Sequence, residues 1–414
     1  MEYKKNNFNP NKLYYGLKCK YIKNDCFYDI LKKNGFKSTD DIKSACLIVP
    51  CTYEKIEKEI EELENNGINE NMYKKNIRIF MLNNTDHLVS KLLLWRYLKN
   101  FYGPKIASTL LPFTWDLTQN EDIEQFKKDY DTNKVYITKN NHQRQQGLKI
   151  HTDLQSILDM RNKHLLVQEL LQNPYLINGR KINLRVYVLV IRDHNGNTKV
   201  KVFNDGFLYY TKDLFIPNTS SFENNVTTGY IDRKVYEENP LTIIDFKNYL
   251  DNPNRTFTNI ERYILENYNI KLSEYIFSLI YKQIGLIFQV YENIVGNKNQ
   301  GVNFQLYGVD VAIDDNLKPM VMEINKGPDI TSKDERDGQV KRKLSEDILK
   351  SVGLINNNEN NNKLENQKIS QNNIEMLNTY NQHLINNIKL SLAIWKKIRN
   401  IDRQIVKEEL NNIK

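Results

Sequence analysis

Apolar residues run unbroken, or recur at every second position, through four stretches between residues 134 and 203. "KVYIT" (134–138), "HLLVQEL" (164–170), "INLRVYVLVI" (182–191) and "KVKVF" (199–203) therefore read as strands. "HNGN" (194–197) supplies a hairpin turn between the last two. Further on, "FQLYGVDVAI" (304–313) and "KPMVMEI" (318–324) flank "DDNL" (314–317) and form a second hairpin. Helical spacing marks 53–66, a charged and exposed helix, and 86–103, an apolar stripe closed by Gly103. It also marks a capped short helix at 120–130 and a buried helix at 271–294, with "LPFTWDL" (111–117) as a Pro-marked connection.

After Leu354 the pattern changes. "INNNENNNKLENQK" (355–368) is Asn-rich and poor in apolar residues, so 355–373 reads as a linker or a disordered stretch. Over 374–414, Ile374, Leu377, Leu384, Ile388, Trp395, Ile398 and Ile405 recur at spacings of three, four or seven. Lys396, Lys397, Arg399, Arg403 and Lys407 make this amphipathic helix basic. Four segments follow: 1–85, an α/β region; 86–354, the main body; 355–373; and 374–414.

Composition narrows the class. With 40% hydrophobic and 27% charged residues the chain is globular, and 414 residues allow about two or three domains. The net charge of +8 favours an acidic partner. All four cysteines, Cys19, Cys26, Cys46 and Cys51, lie near the N-terminus without a CxxC pair or zinc spacing. Reduced structural thiols in a reducing cytosol are expected. The polar start "MEYKKNNFNPNK" gives no signal peptide, and no run reaches the ~18 apolar residues of a membrane span. Neither a zinc finger nor a helix-turn-helix signature supports nucleic-acid binding.

Three stretches carry candidate chemistry. In "VMEINKGPDI" (321–330), Glu323 and Asn325 lie two apart on an otherwise apolar strand, hence on one face. Pairing across "DDNL" sets Asp310 opposite Val321 and adds Asp310 to that face. Two carboxylates and an amide suit Mg²⁺, which takes a few oxygen ligands alongside phosphate and water. A solvated sheet face explains the same pattern, and a one-residue slip would undo it. In "VQELLQNPYLINGRKINLRVYVLV" (167–190), Lys181, Asn183 and Arg185 alternate onto one face whose reverse is apolar. That suits a phosphate or carboxylate, or an ordinary exposed face. In "VYITKNNHQRQQGLKI" (135–150), a polar loop runs from Lys139 to Gly147; it is neither a Walker A nor a Rossmann turn, and a surface loop is its plain reading.

In their order, these stretches resemble the tubulin–tyrosine ligase-like family of the ATP-grasp superfamily. The family's central pattern is roughly VQxYIxNPLLIxGrKFDLRxYVLV, against "VQELLQNPYLINGRKINLRVYVLV" here. Its distal pattern is roughly FxLxGxDxxxDxxLKPWLxExNxxP, against "FQLYGVDVAIDDNLKPMVMEINKGP". The upstream match, Lys139 with "RQQGL", is looser; "DGQVKRKLSEDILKSVGL" (337–354) resembles the closing helix of the family domain. The resemblance covers about residues 86–354.

It implies an α+β, ATP-grasp-like fold with ATP between β-rich subdomains. It also implies phosphorylation of a carboxylate, followed by amide formation with tyrosine, glutamate or glycine. Carried over by motif, Lys139 and Lys181 contact ATP phosphates, with Arg144 and Gly147 in the covering loop. Backbone at Glu169, Leu170 and Leu171 holds adenine, with Gln168 beside it. Asp310, Glu323 and Asn325 hold Mg²⁺. Arg185 and Lys181 are the catalytic pair, Arg185 facing phosphates or the acceptor carboxylate. The implied partners are tubulin or another protein with an acidic tail, and a free amino acid. A cytoplasmic, microtubule-associated monomer is expected.

The chain departs from the pattern at three points. Asn183 stands where an acid is usual near the nucleotide, and Tyr209 stands where an arginine is common. The family's L-T-N segment is echoed only by "VTTG" (226–229), which has no matching Asn. These leave two rivals to a tubulin ligase: an inactive module that binds an acidic partner, and a ligase for another peptide or a small molecule.

Overall fold

Arg180–Arg192 is the spine of the larger of two sheets. Its even-numbered side chains Ile182, Leu184, Val186, Val188 and Val190 are all at most 1% exposed. Alternation therefore turns Lys181, Asn183, Arg185 and Tyr187 to the other face. Thr198–Thr211 pairs antiparallel on one side and Val302–Ile313 on the other. Pro319–Lys326 then pairs with Val302–Ile313, so three adjacent strands carry the motif residues. The apolar helix Leu272–Glu292 packs beside Pro319–Lys326 and Thr198–Thr211. The computed structural model describes residues 12–16, 25–49, 58, 61, 65, 77–140, 147–268, 270–292, 294–295 and 301–356.

The N-terminal strands Leu13–Gly16, Lys37–Ser38, Leu47–Val49 and Arg78–Ile79 pair in parallel and continue this same sheet. Arg78–Ile79 joins them to it beside Val302 and Asn303. Buried Cys26 and Cys46 are free thiols.

The second sheet has four antiparallel strands in the order Thr114–Asp116, Leu166–Glu169, Tyr136–Lys139, Leu148–His151. Its far face is closed by Trp115, Phe126, Tyr136, Ile157 and Val167, packed with helix Asn120–Asp129. Its near face carries Val135, Ile137 and Leu170 with half-buried Leu148 and Ile150. The class is thus α+β with two β-rich parts, as the resemblance implied. Among the described residues no helix is long and apolar enough to cross a membrane.

Three expectations are corrected. The helix expected over 86–103 breaks at Ser90, whose hydroxyl accepts from the Leu93 N–H and starts a new helix, Lys91–Tyr102. "LPFTWDL" is more than a connection, because Thr114–Asp116 pairs with Leu166–Gln168. The distal hairpin does not set Asp310 opposite Val321: Asp310 pairs with Glu323, and Val321 with Val311. Two causes combine. The Asp314 N–H bonds the Lys318 carbonyl, so the turn is one residue longer than "DDNL". A register shift between Asp310 and Val311 then leaves Met322 as an extra residue. Arg144, Cys19, Cys51, most of 53–66 and the segments expected beyond Asn356 lie outside the described residues.

Candidate active site

Three strands bring Arg185, Asp310 and Glu323 into one cross-strand row. Arg185 is in register with Asp310, and Asp310 with Glu323. The Arg185 guanidinium grips Asp310 with two bonds, Nε–Oδ1 at 2.6 Å and Nη2–Oδ2 at 3.0 Å. Such a fork fits a planar carboxylate and fixes its orientation. Asn325 Nδ2 donates to Asp310 Oδ2 at 3.4 Å, so the third expected metal residue sits beside the first. Gly308, opposite both Tyr187 and Asn325, leaves the gap across which Arg185 lies: a Cβ there would come within 2.9 Å of Arg185 Cδ.

Glu323 has its own cation, Lys91, at 3.2 Å. Sequence reasoning missed Lys91. It opens helix Lys91–Tyr102, directly after the Ser90 cap. A signal was available, since a lysine in the first turn opposes the helix dipole and needs another reason to be there. The helices around Lys91 are fastened to the hairpin. Lys326 pairs with Asp86 at 2.6 Å, and Gln283 Nε2 donates to the carbonyls of Thr109 and Pro319.

Lys139 and Lys181 complete the cluster. They are 6% and 4% exposed, and among the described residues neither has an ion pair. Lys181 Nζ donates to the Leu171 carbonyl at 3.3 Å. Burial lowers Lys181 to about 7, with Lys139 adding to the effect. Burial lowers Lys139 to about 8; Lys91 adds to this and Glu323 opposes it. Burial pushes the Asp310 carboxyl up, and the pull of Arg185 offsets only part of that. Burial also acts on Glu323, but Lys91, Lys139 and Arg185 together hold it below its ordinary range.

Gln168 and Lys139 share the near face of the small sheet, since Lys139 pairs with Leu166 and Ile137 with Gln168. Gln168 Nε2 donates to Thr114 Oγ1 at 2.7 Å, while its buried Oε1 has no partner among the described residues. Gln168 lines a cleft with Lys91, Leu94, Leu111, Pro112 and Glu323. Of the residues expected at adenine, Glu169 pairs with Lys134 at 2.8 Å. The Leu170 N–H bonds Val135 O, and its carbonyl accepts from Gln172. Gly147 closes the loop after Lys139 at φ +71°, its carbonyl accepting from the Asn140 N–H.

Two of the departures from the family pattern are partners. Asn183 and Tyr209 stand directly opposite one another on neighbouring strands. Both are uncharged, and the buried Asn183 Oδ1 has no partner among the described residues.

Among the described residues no group of three or more His, Cys, Asp or Glu converges as a metal cluster. The donor set here is two carboxylates and an amide, all hard oxygen donors of a kind that suits Mg²⁺ shared with phosphate. Lys139 and Lys181 have no ion pair among the described residues, and their buried charge suits an anionic ligand.

The Tubulin-tyrosine ligase family model matches residues 69–362. The chain belongs to this family. The rat protein named probable tubulin polyglutamylase TTLL9 is 28% identical over 201 residues, 47% of this chain and 40% of the relative. Human tubulin monoglutamylase TTLL4 is 26% identical over 213 residues, 47% of this chain and 16% of the relative. Tubulin glycylase 3D of Tetrahymena thermophila is 24% identical over 221 residues, 51% of this chain and 20% of the relative. The matched part is thus two fifths of the rat family member and less of the other two.

Proposed function

We propose that the chain is an ATP- and Mg²⁺-dependent ligase that joins an amino acid to a carboxylate of a protein tail, with tubulin as the first acceptor to test. One observation carries this reading. Two buried lysines have no ion pair among the described residues: Lys139 feels the charge of Glu323, which faces Asp310 across the strands, and Lys181 feels that of Lys139. Buried charge without a partner is costly, and an anionic ligand removes the cost. Tubulin enters because the named relatives are tubulin glutamylases and a glycylase. A cytoplasmic, microtubule-associated setting follows from that acceptor.

The roles divide by chemistry. Lys139 and Lys181 supply point charge to the phosphates, and phosphoryl transfer asks little of a protein beyond charge and alignment. Gln168 and the aliphatic face of Val135, Ile137 and Leu170 receive the base. Asp310, Glu323 and Asn325 would hold Mg²⁺, which neutralises charge on the phosphates. Arg185 orients a carboxylate or the transferring group. The acceptor carboxylate oxygen attacks the γ-phosphorus and ADP leaves. The amino group then attacks the acyl carbon, phosphate departs, and the nitrogen loses a proton. Water would hydrolyse the mixed anhydride, so the cleft has to exclude it.

The direct test is purified chain with tubulin, Mg-ATP and radiolabelled tyrosine, glutamate or glycine in separate reactions, beside Glu323→Gln. Label that enters tubulin with one amino acid and is lost in the variant is the expected result. Nucleotide binding without label favours a second reading, a binding module without catalysis. That reading draws on the uncharged Asn183–Tyr209 pair at the site.

A further inference from the structure

Arg185 is held from two sides by unlike partners. On one side its guanidinium takes both oxygens of Asp310, at 2.6 and 3.0 Å. On the other, its central carbon lies 5.0 Å from the ring centroid of Tyr209. Among the described residues Asp310 is the only ion-pair partner of Arg185. Yet Asp310 is also the carboxylate that has to serve a metal ion, so Arg185 then shares its counter-charge with a stronger cation. The aromatic face is the contact for which a cation at Asp310 does not compete.

The surroundings fit a built seat. A Cβ on Gly308 would come within 2.9 Å of Arg185 Cδ, and one on Gly229 within 3.0 Å of Tyr209 Cε1. Both glycines therefore leave room where the arginine and the ring lie. Opposite Tyr209 stands the neutral Asn183 rather than an acid, so that position offers no charge to draw Arg185 away from Asp310.

Resting on the nucleotide and metal reading above, we propose that Tyr209 is a positioning residue, whose ring keeps Arg185 in the site when Asp310 turns its oxygens to a metal ion. Tyr209 touches no reacting atom in this scheme; it acts through Arg185. The hydroxyl is dispensable and the ring face is not.

The test is calorimetric titration of the full chain with the non-hydrolysable analogue AMP-PNP, once with Mg²⁺ and once with EDTA. Tyr209→Phe is expected to match the unmodified protein in both conditions. Tyr209→Leu is expected to lose about tenfold in affinity with Mg²⁺ and nothing in EDTA, where Asp310 alone holds Arg185. Tyr209→Met, unbranched and of similar reach, serves the same purpose if the leucine variant does not fold. A loss equal in both conditions, or a phenylalanine variant as weak as the leucine one, overturns the proposal. Unmodified protein that binds no better with Mg²⁺ than in EDTA overturns the metal reading, and the role of Tyr209 with it. Normal Mg²⁺-dependent binding that Tyr209→Leu leaves intact overturns Tyr209 alone.

Discussion

Asp310 and Glu323 face one another across two antiparallel strands because Met322 is an extra residue between Val321 and Glu323. Bulges of this kind re-aim side chains and recur next to active sites. Here the result is a row of four charges, Arg185, Asp310, Glu323 and Lys91, in which two adjacent carboxylates are flanked by a cation on each side. Any metal ion therefore enters by sharing or displacing those cations, and each member of the row depends on its neighbours.

Removing the Glu323 charge makes that dependence measurable. Glu323→Gln removes the ion-pair partner of Lys91 and the carboxylate whose charge Lys139 feels. A partly buried cation that loses its partner costs about 2 kcal/mol, less than a fully buried one. Thermal melting should show a lower Tm without ligand and no further rise on adding Mg-ATP. A melting point that still rises with Mg-ATP by as much as the unmodified chain would remove Glu323 from the site.

Lys181 should act in the opposite direction. Its folded-state value of about 7 lies below the ordinary 10.5, so between those values the unfolded chain holds more protons than the folded one. Stability then rises with pH through that window, and the cost of the buried charge is fully present below it. Lys181→Met should stabilise the free chain at pH 7 by about 2 kcal/mol and flatten its pH profile. It should also abolish nucleotide binding. Denaturant melts at pH 7 and pH 9 check the first statement, and titration with AMP-PNP the second. For the unmodified chain, binding near pH 8 should take up protons onto Lys139 and Lys181, seen as a buffer-dependent heat.

What the sequence disclosed follows the length of each signal. Arg180–Arg192 and Val302–Ile313 announce themselves because continuous apolar alternation over a dozen residues has one good solution. Asp310, Glu323 and Asn325 were legible as a set, since period two puts them on one face, but their register was not. It depends on a five-residue turn and a bulge, neither of which has a strong sequence marker. Thr114–Asp116 was illegible for a different reason: three residues after a proline form a strand only because Leu166–Glu169 offers an edge. Lys91 lay hidden in an apolar helix far from every motif, and only tertiary packing brings it to Glu323.

Gly147 sets the strand that carries Lys139. At φ +71° an L-residue is strained, and a Cβ would fall 2.0 Å from Asn140 Oδ1. Gly147→Ala should cost about 1–2 kcal/mol and weaken nucleotide binding through Lys139, although residue 147 lies at the end of the loop. Melting curves and AMP-PNP affinity of the variant check this; affinity unchanged at a reduced Tm would make Gly147 purely structural.

The Asn183–Tyr209 pair carries the last prediction. Because the two are cross-strand partners on the face of Arg185, charge introduced at one is felt at once by the other. Tyr209→Arg alone sets a second guanidinium beside Arg185 and removes its aromatic seat, so Tm should fall. Asn183→Asp alone adds an acid two residues from Arg185, which competes with Asp310 for the same cation. Together the two new charges neutralise each other across the strands. The double variant should therefore be more stable than the sum of the single changes by about 1 kcal/mol. A double-mutant cycle in denaturant measures the coupling directly. Additive behaviour would mean that these two departures from the family pattern arose independently, and that the neutral pair is not a matched unit.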